Sequence, residues 1–326
     1  VTSAPPQRGF PARPRLRERL REPRFLRRSL AFCAVAASLV AIVLLPSFLQ
    51  APPWREDALD RARQTGVIRI GYAVEAPFAF LVNQTNVTGE SPEIARIITR
   101  RLGIPRIEWR LAEFGSLLPG LEARRFDVVA AGLFITPRRA RRVAFSRPTF
   151  HVGSALLVRQ STNPPPPAAP PPPRSYLDLI RDPQTRVAVL SKSVEEEHLT
   201  TLGMPRNRLV RVPDADTGKA LVQAGNVTAL ALSAPTVRWM AAQPSLLRLE
   251  AVPIEPDPTT APASPPEGVG AFAFRTEDRL LREAWDRELM NFLGTDEHLG
   301  LIRTFGFTPS ELPPAVDTRA DIRTPR

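Results

Sequence analysis

Apolar and polar positions fall into regular elements from about residue 56 onward. A short helical pattern over 56 to 64 leads into "GVIRIGYA", where Val67, Ile68, Ile70 and Tyr72 read as a buried strand. In "GESPEIARIITRRLGI", Ile94, Ile97, Ile98 and Leu102 recur at helical spacing and Gly103 supplies a stop, so the segment predicts an amphipathic helix. A strand at "RIEWRLA", a helix at "SLLPGLEARR" and a short strand at "FDVVAAGL" follow. Strands alternating with helices argue for an open α/β sheet.

A second α/β run begins near Leu156. It reads as the strand "ALLVRQ", the strand, turn and helix of "RVAVLSKSVEEEHLTTLG", the strand "NRLVRVP", the helix "TGKALVQAG" and the strand "VTALALSAP". The chain then returns through "GAFAFR" to a helix over 276 to 293 and a terminal helix ending near "TFGF". Two α/β lobes with a cleft between them are therefore expected: lobe one from 50–155 and 268–308, lobe two from 156–267, and a tail over 309–326 without order. The proline-rich stretches at 163–174 and 256–268 suit exposed loops and no sheet interior.

The N-terminus adds a membrane element. Nine arginines over residues 8 to 28 precede a 21-residue stretch, 29 to 49, that carries no charge. Such a stretch spans the roughly 30 Å hydrocarbon core as a helix, and the arginines before it stay cytoplasmic. A cleaved signal peptide is the competing reading, but no A-x-A site stands near the end of the stretch. Either way the rest of the chain is exported, and the expected location is extracytoplasmic.

Composition narrows the function. The formal net charge is +11 and almost all of the positive charge is arginine, Lys192 and Lys219 being the only lysines. The arginines are spread along the chain with no interleaved aromatic-basic motif, so nucleic acid is not an expected partner. A single cysteine, Cys33, and three scattered histidines give no disulfide and no metal-ligand spacing. No metal and no cofactor are expected, and no catalytic set of paired carboxylates or Ser-His-Asp type is evident.

With these elements in place, "GVIRIGYAVEAPFAF", "GESPEIARIITRRLG", "LLPGLEARRFDVVAAGLFITPRRARRVAFSRPTF" and "GAFAFRTEDRLLREAWD" resemble the family 3 extracellular solute-binding proteins over about residues 56 to 308. The resemblance implies a two-lobe periplasmic-binding-protein fold of type II and a receptor that serves an ABC permease and its ATPase. It also implies that Arg139, three residues after the threonine of "FITPRR", holds a ligand carboxylate, a task its planar fork suits. Arg138, Arg141 and Arg142 are read as a solvated helix face. Ser193 matches a hydroxyl that contacts the same carboxylate and also suits a helix cap; Lys192 beside it stands where the family usually has glycine.

At the other end of the ligand the family places an aspartate that pairs with an α-ammonium, and the aligned residue is Ser233. Ordinary amino acids are disfavoured by that change. Phe78, Phe114 and Phe134 stand at positions where the family presents side chains into the cleft; one alone would read as core, but the three together suit an aromatic box for a delocalised cation. Glu75 could accept from a ring N–H or be a rim charge. This combination resembles the ectoine and hydroxyectoine receptors within the family and implies a small zwitterion as ligand. A polar amino-acid receptor, or a ligand sensor acting with a membrane partner, is the alternative. The same fold also hosts dehydratases and the regulatory modules of wall-cleaving transglycosylases.

Overall fold

The computed structural model describes residues 57–160, 172–244, 248–255 and 267–313. The arginine-rich segment, the apolar stretch at 29–49, most of the proline-rich insertion and residues 314–326 lie outside the described residues. Among the described residues no helix is long and apolar enough to cross a membrane.

Lobe one opens with α1 (Ala58–Thr65), capped by the Asp57 carboxylate, which accepts from the Leu59 amide at 2.9 Å, and closed by Gly66 in the left-handed region. β1 (Val67–Tyr72) follows, then a small hairpin of β2 (Phe80–Val82) and β3 (Asn86–Thr88), and α2 (Glu90–Arg101). The helical spacing read from the sequence reflects burial: Ile94, Ala95 and Ile98 face the core while Arg100 and Arg101 complete the last turn. β4 (Arg106–Leu111), α3 (Leu117–Glu122), β5 (Val128–Val129), α4 (Pro137–Ala140) and β6 (Ala144–Phe145) complete the first pass. Their sheet has the order β4-β1-β5-β13-β6, parallel from β4 to β5, where β13 (Ala273–Phe274) arrives antiparallel from the far end of the chain.

β7 (Phe150–Arg159) is longer than the strand expected from Leu156, because its two halves serve different neighbours. Phe150 to Gly153 pair with β12 (Glu267–Gly270), while Ser154 to Arg159 enter the second sheet. That sheet has the order β11-β7-β10-β8-β9 and is built with α5 (Tyr176–Arg181), β8 (Val187–Leu190), α6 (Val194–Thr201), β9 (Leu209–Val212), α7 (Ala215–Ala224), β10 (Ala229–Ser233), α8 (Ala234–Ala242) and β11 (Leu249–Pro253). β7 and β12 thus form the two antiparallel crossings between lobes. After β13, α9 (Arg279–Met290) packs Leu281, Trp285 and Leu289 onto lobe one, and α10 (Asp296–Thr304) follows.

Residues 309–313, at the start of the expected tail, are ordered. Pro309–Glu311 forms a 3-10 turn whose Glu311 carboxylate accepts from Arg238 of α8 at 2.7 Å. Just before it, Phe307 is buried against Phe78 and Phe150. Aromatic packing and one ion pair hold a segment that its polar and proline-rich composition did not suggest.

Candidate ligand cleft

The "ITPRR" stretch turns one arginine inward by local means. The Thr136 hydroxyl caps α4 by accepting from the Arg139 amide at 3.2 Å, and Pro137 begins the helix. Within this single turn Arg138, Arg141 and Arg142 remain exposed, and Arg142 pairs with Glu122 at 2.6 Å. Arg139 is buried. Its Nη1 donates to the Phe134 carbonyl at 2.8 Å, its Nη2 donates to the Lys192 carbonyl at 2.9 Å, and its guanidinium carbon sits 5.6 Å from the Phe114 ring centre. Burial pulls its pKa down to about 10, which leaves the guanidinium charged at neutral pH.

Lobe two meets it with the turn between β8 and α6. Lys192 adopts φ 63°, the left-handed region where glycine is at ease, and this strained position explains why a glycine is usual there. The Lys192 amide donates to Glu196 at 2.6 Å and its Nζ donates to the Gly115 carbonyl of lobe one at 3.1 Å. Ser193 caps α6, accepting from the Glu196 amide at 3.2 Å. A cavity of about 290 Å³ beside this junction is lined in part by Phe114, Arg138, Arg139, Lys192, Ser193 and Glu197.

Glu75 follows β1 and is tied back on itself by paired backbone bonds with Ala79 at 2.8 and 3.0 Å across a cis Ala76–Pro77 peptide. Its side chain is buried and accepts from the Thr236 hydroxyl at 3.0 Å; Thr236 in turn accepts from the Ser233 hydroxyl at 3.0 Å. The residue in the aspartate position therefore reaches across the lobes to an acid through one relay hydroxyl. Burial, reinforced by the charge of Glu195, pushes Glu75 up to about 8.

The phenylalanines divide. Phe78 and Phe134 both pack on Phe150, with ring centres at 4.7 and 5.7 Å, in a buried cluster with Val152, Ile302 and Phe307. Gly132, at φ 62°, lies flat on the Phe78 ring, where a Cβ would collide. Phe114 stands apart from this cluster, under the Arg139 guanidinium.

Three groups were not singled out in the sequence. Glu195, the second residue of α6, is buried and lies within electrostatic reach of both Glu75 and Arg139. Tyr176 buries its hydroxyl beside Ser154 and Glu195 without a hydrogen bond of acceptable geometry. Thr236 lies three residues beyond Ser233. The available signals were faint: "VEEE" reads as the solvated start of a helix, and nothing local separates its first glutamate from the other two. Among the described residues no cluster of His, Cys, Asp and Glu could hold a metal ion.

Two α/β lobes joined by two crossing strands, with a buried arginine of one engaged by a helix-capping turn of the other, define the class of clamshell solute receptors. The chain belongs to the bacterial extracellular solute-binding proteins, family 3, whose family model matches residues 68–301. It is 30% identical over 278 residues to a probable amino-acid ABC transporter periplasmic-binding protein of Sinorhizobium fredii, covering 85% of this chain and 88% of that one. The crystal structure of EhuB in complex with hydroxyectoine is similar at a TM-score of 0.66 and 29% identity, covering 78% of this chain and 94% of that one. A mutant of the arginine-binding protein ArgBP from T. maritima shares the fold at a TM-score of 0.65 and 24% identity, over 76% and 99% of the two chains.

Proposed function

We propose that this chain is the extracytoplasmic binding component of an ABC importer, held at the membrane by its N-terminal apolar stretch, and that it captures a small zwitterion of the ectoine and hydroxyectoine class. It acts by binding and delivery, without catalysis, and its partners are a permease and that permease's ATPase. The observation that carries the reading is the meeting of Arg139 with the Lys192–Ser193 turn across the lobes. A carboxylate arriving there finds a guanidinium with further N–H donors and a helix N-terminus from the facing lobe, so only the closed form offers both. The likeness to EhuB supports ectoine-type ligands.

A second reading, a polar amino acid, is favoured by the buried Glu75 and Glu195, which can receive an α-ammonium without an acid at residue 233. Calorimetry on the full chain with ectoine, hydroxyectoine, L-glutamine and L-arginine separates the two. Binding of the first pair alone supports the ectoine class. Binding of an amino acid alone moves the assignment to the second reading, and no heat from any of the four removes both.

A further inference from the structure

The lobes are joined covalently by β7 and β12, and the chain's C-terminal turn adds a tie of another kind. After α10 the segment is fixed on the lobe-one side: Phe307 is buried against Phe78 and Phe150, and Leu312 packs on the same cluster. Glu311 between them is set in place by its own turn. One carboxylate oxygen accepts from the Thr308 amide at 2.9 Å and from the Thr308 hydroxyl at 3.1 Å, while the other accepts from Arg238 of α8, in lobe two, at 2.7 Å. The acid is 12% exposed and the arginine 45%, so in forming the pair it is chiefly Arg238 that gives up side-chain freedom. The next residue of α8 makes a second contact across the lobes. Trp239 lies 5.4 Å, centre to centre, from Phe80 of the β2–β3 hairpin, and Phe80 in turn meets Phe305 edge to face at 6.3 Å. None of Phe80, Arg238, Trp239 and Glu311 lines the cavity beside Arg139.

We propose that Arg238 and Trp239 of lobe two, with Glu311 and Phe80 on the lobe-one side, form a clasp that holds the lobes closed and sets how long a ligand stays, without touching it. The inference rests on the reading of the chain as a receptor that closes over a solute, whichever solute that is. The clasp contacts belong to the closed form whether or not a ligand is inside, so they shift the balance between open and closed and scale the affinity accordingly. Their loss acts on release, because a ligand leaves only after the lobes part. Association begins on the open form and is spared. The C-terminal turn, which the sequence pattern left as the start of a tail, is thereby an affinity control remote from the ligand.

Stopped-flow tryptophan emission on the full chain, with ectoine and L-arginine as probes, tests the clasp in the wild type, Glu311→Gln, Arg238→Gln and the double variant. Arg303→Gln, on the exposed side of α10, is the control. Circular dichroism melts establish that each variant is folded. Each single variant should release the bound probe about twofold to fivefold faster, with association unchanged within about twofold. The double variant should release it no faster than the faster single one, as two partners in one contact require, and the control should match the wild type. Equal release rates in wild type and Glu311→Gln overturn the clasp, and so do single effects that multiply in the double variant, since the two side chains would then act independently. If neither probe binds the wild type, the zwitterion reading fails and the ligand-free chain decides the clasp. There the Trp239 emission, taken as the difference from Trp239→Phe in the same background, should move to longer wavelength in Glu311→Gln; an unmoved emission overturns the inference.

Discussion

The Nη2 of Arg139 donates to the carbonyl of Lys192 at 2.9 Å, so a side chain anchored in one lobe is held by the backbone of the other. The contact depends on the left-handed turn at Lys192 that aims this carbonyl at the cleft, and on the Thr136 cap that aims the guanidinium. It couples closure to the residue expected to take a carboxylate.

Arg139→Ala should therefore weaken binding of a carboxylate ligand by about a hundredfold or more, in keeping with the roughly 2 to 5 kcal/mol lost when one partner of a buried charged contact is truncated. Arg141→Ala, on the exposed face of the same segment, should change it by less than about threefold. Calorimetry on both variants decides; equal losses would remove the role given to Arg139.

Glu75 should make stability depend on pH in a defined direction. Its folded value of about 8 lies above the ordinary carboxylate value, chiefly because burial disfavours the charge, so its contribution is fully present below about pH 4.5 and is lost as pH rises through about 8. Glu195 is raised for the same first reason and acts in the same sense. Melting temperatures should fall between pH 6 and pH 9, and the fall should be smaller in Glu75→Gln. An identical slope in wild type and variant would mean that Glu75 does not titrate in this window.

Asp127 is the hub of an ion cluster in lobe one. It is fully buried, with Arg61 at 2.6 Å, Arg69 at 2.8 Å and Arg275 at 3.0 Å; burial works to raise its pKa, and Arg69 and Arg61 together outweigh it and hold the pKa below the ordinary value. Asp127→Asn should cost about 3 to 5 kcal/mol, since the half-buried Arg61 and Arg69 lose the acid they share and the buried Arg275 keeps only Asp278, at 2.6 Å. Urea denaturation measures it, and a loss under about 1 kcal/mol would show that water or another acid replaces the carboxylate.

Trp239 of α8 in lobe two lies 5.4 Å, centre to centre, from the Phe80 ring of lobe one. Opening of the lobes separates these rings and wets the indole, so ligand addition should shift the tryptophan emission. The shift should vanish in Trp239→Phe; persistence would place the reporting indole elsewhere.

Local pattern made most of the lobes legible. The helices at 90–101 and 215–224 and the strands at 67–72, 187–190 and 229–233 carry periodicity strong enough to read, because each buries one face against a sheet or sits wholly inside one. β11 and α8 were missed: "LEAVP" is too short to show a period, and "APTVRWMAA" begins on a proline just after a strand. Arg139 could be singled out from "ITPRR" by resemblance. Glu195 could not, because "VEEE" carries no mark of which glutamate turns inward.

Periodicity, turn residues and a long motif are local properties of the chain, and they suffice to read the two-lobe α/β class, the family and the inward arginine. Tertiary structure alone decided which groups meet. Burial of Glu195, the relay from Ser233 through Thr236 to Glu75 and the packing of Phe78 and Phe134 on Phe150 join residues far apart in sequence. Whether a charge is solvated or enclosed depends on what the other lobe brings against it, and no local pattern records that.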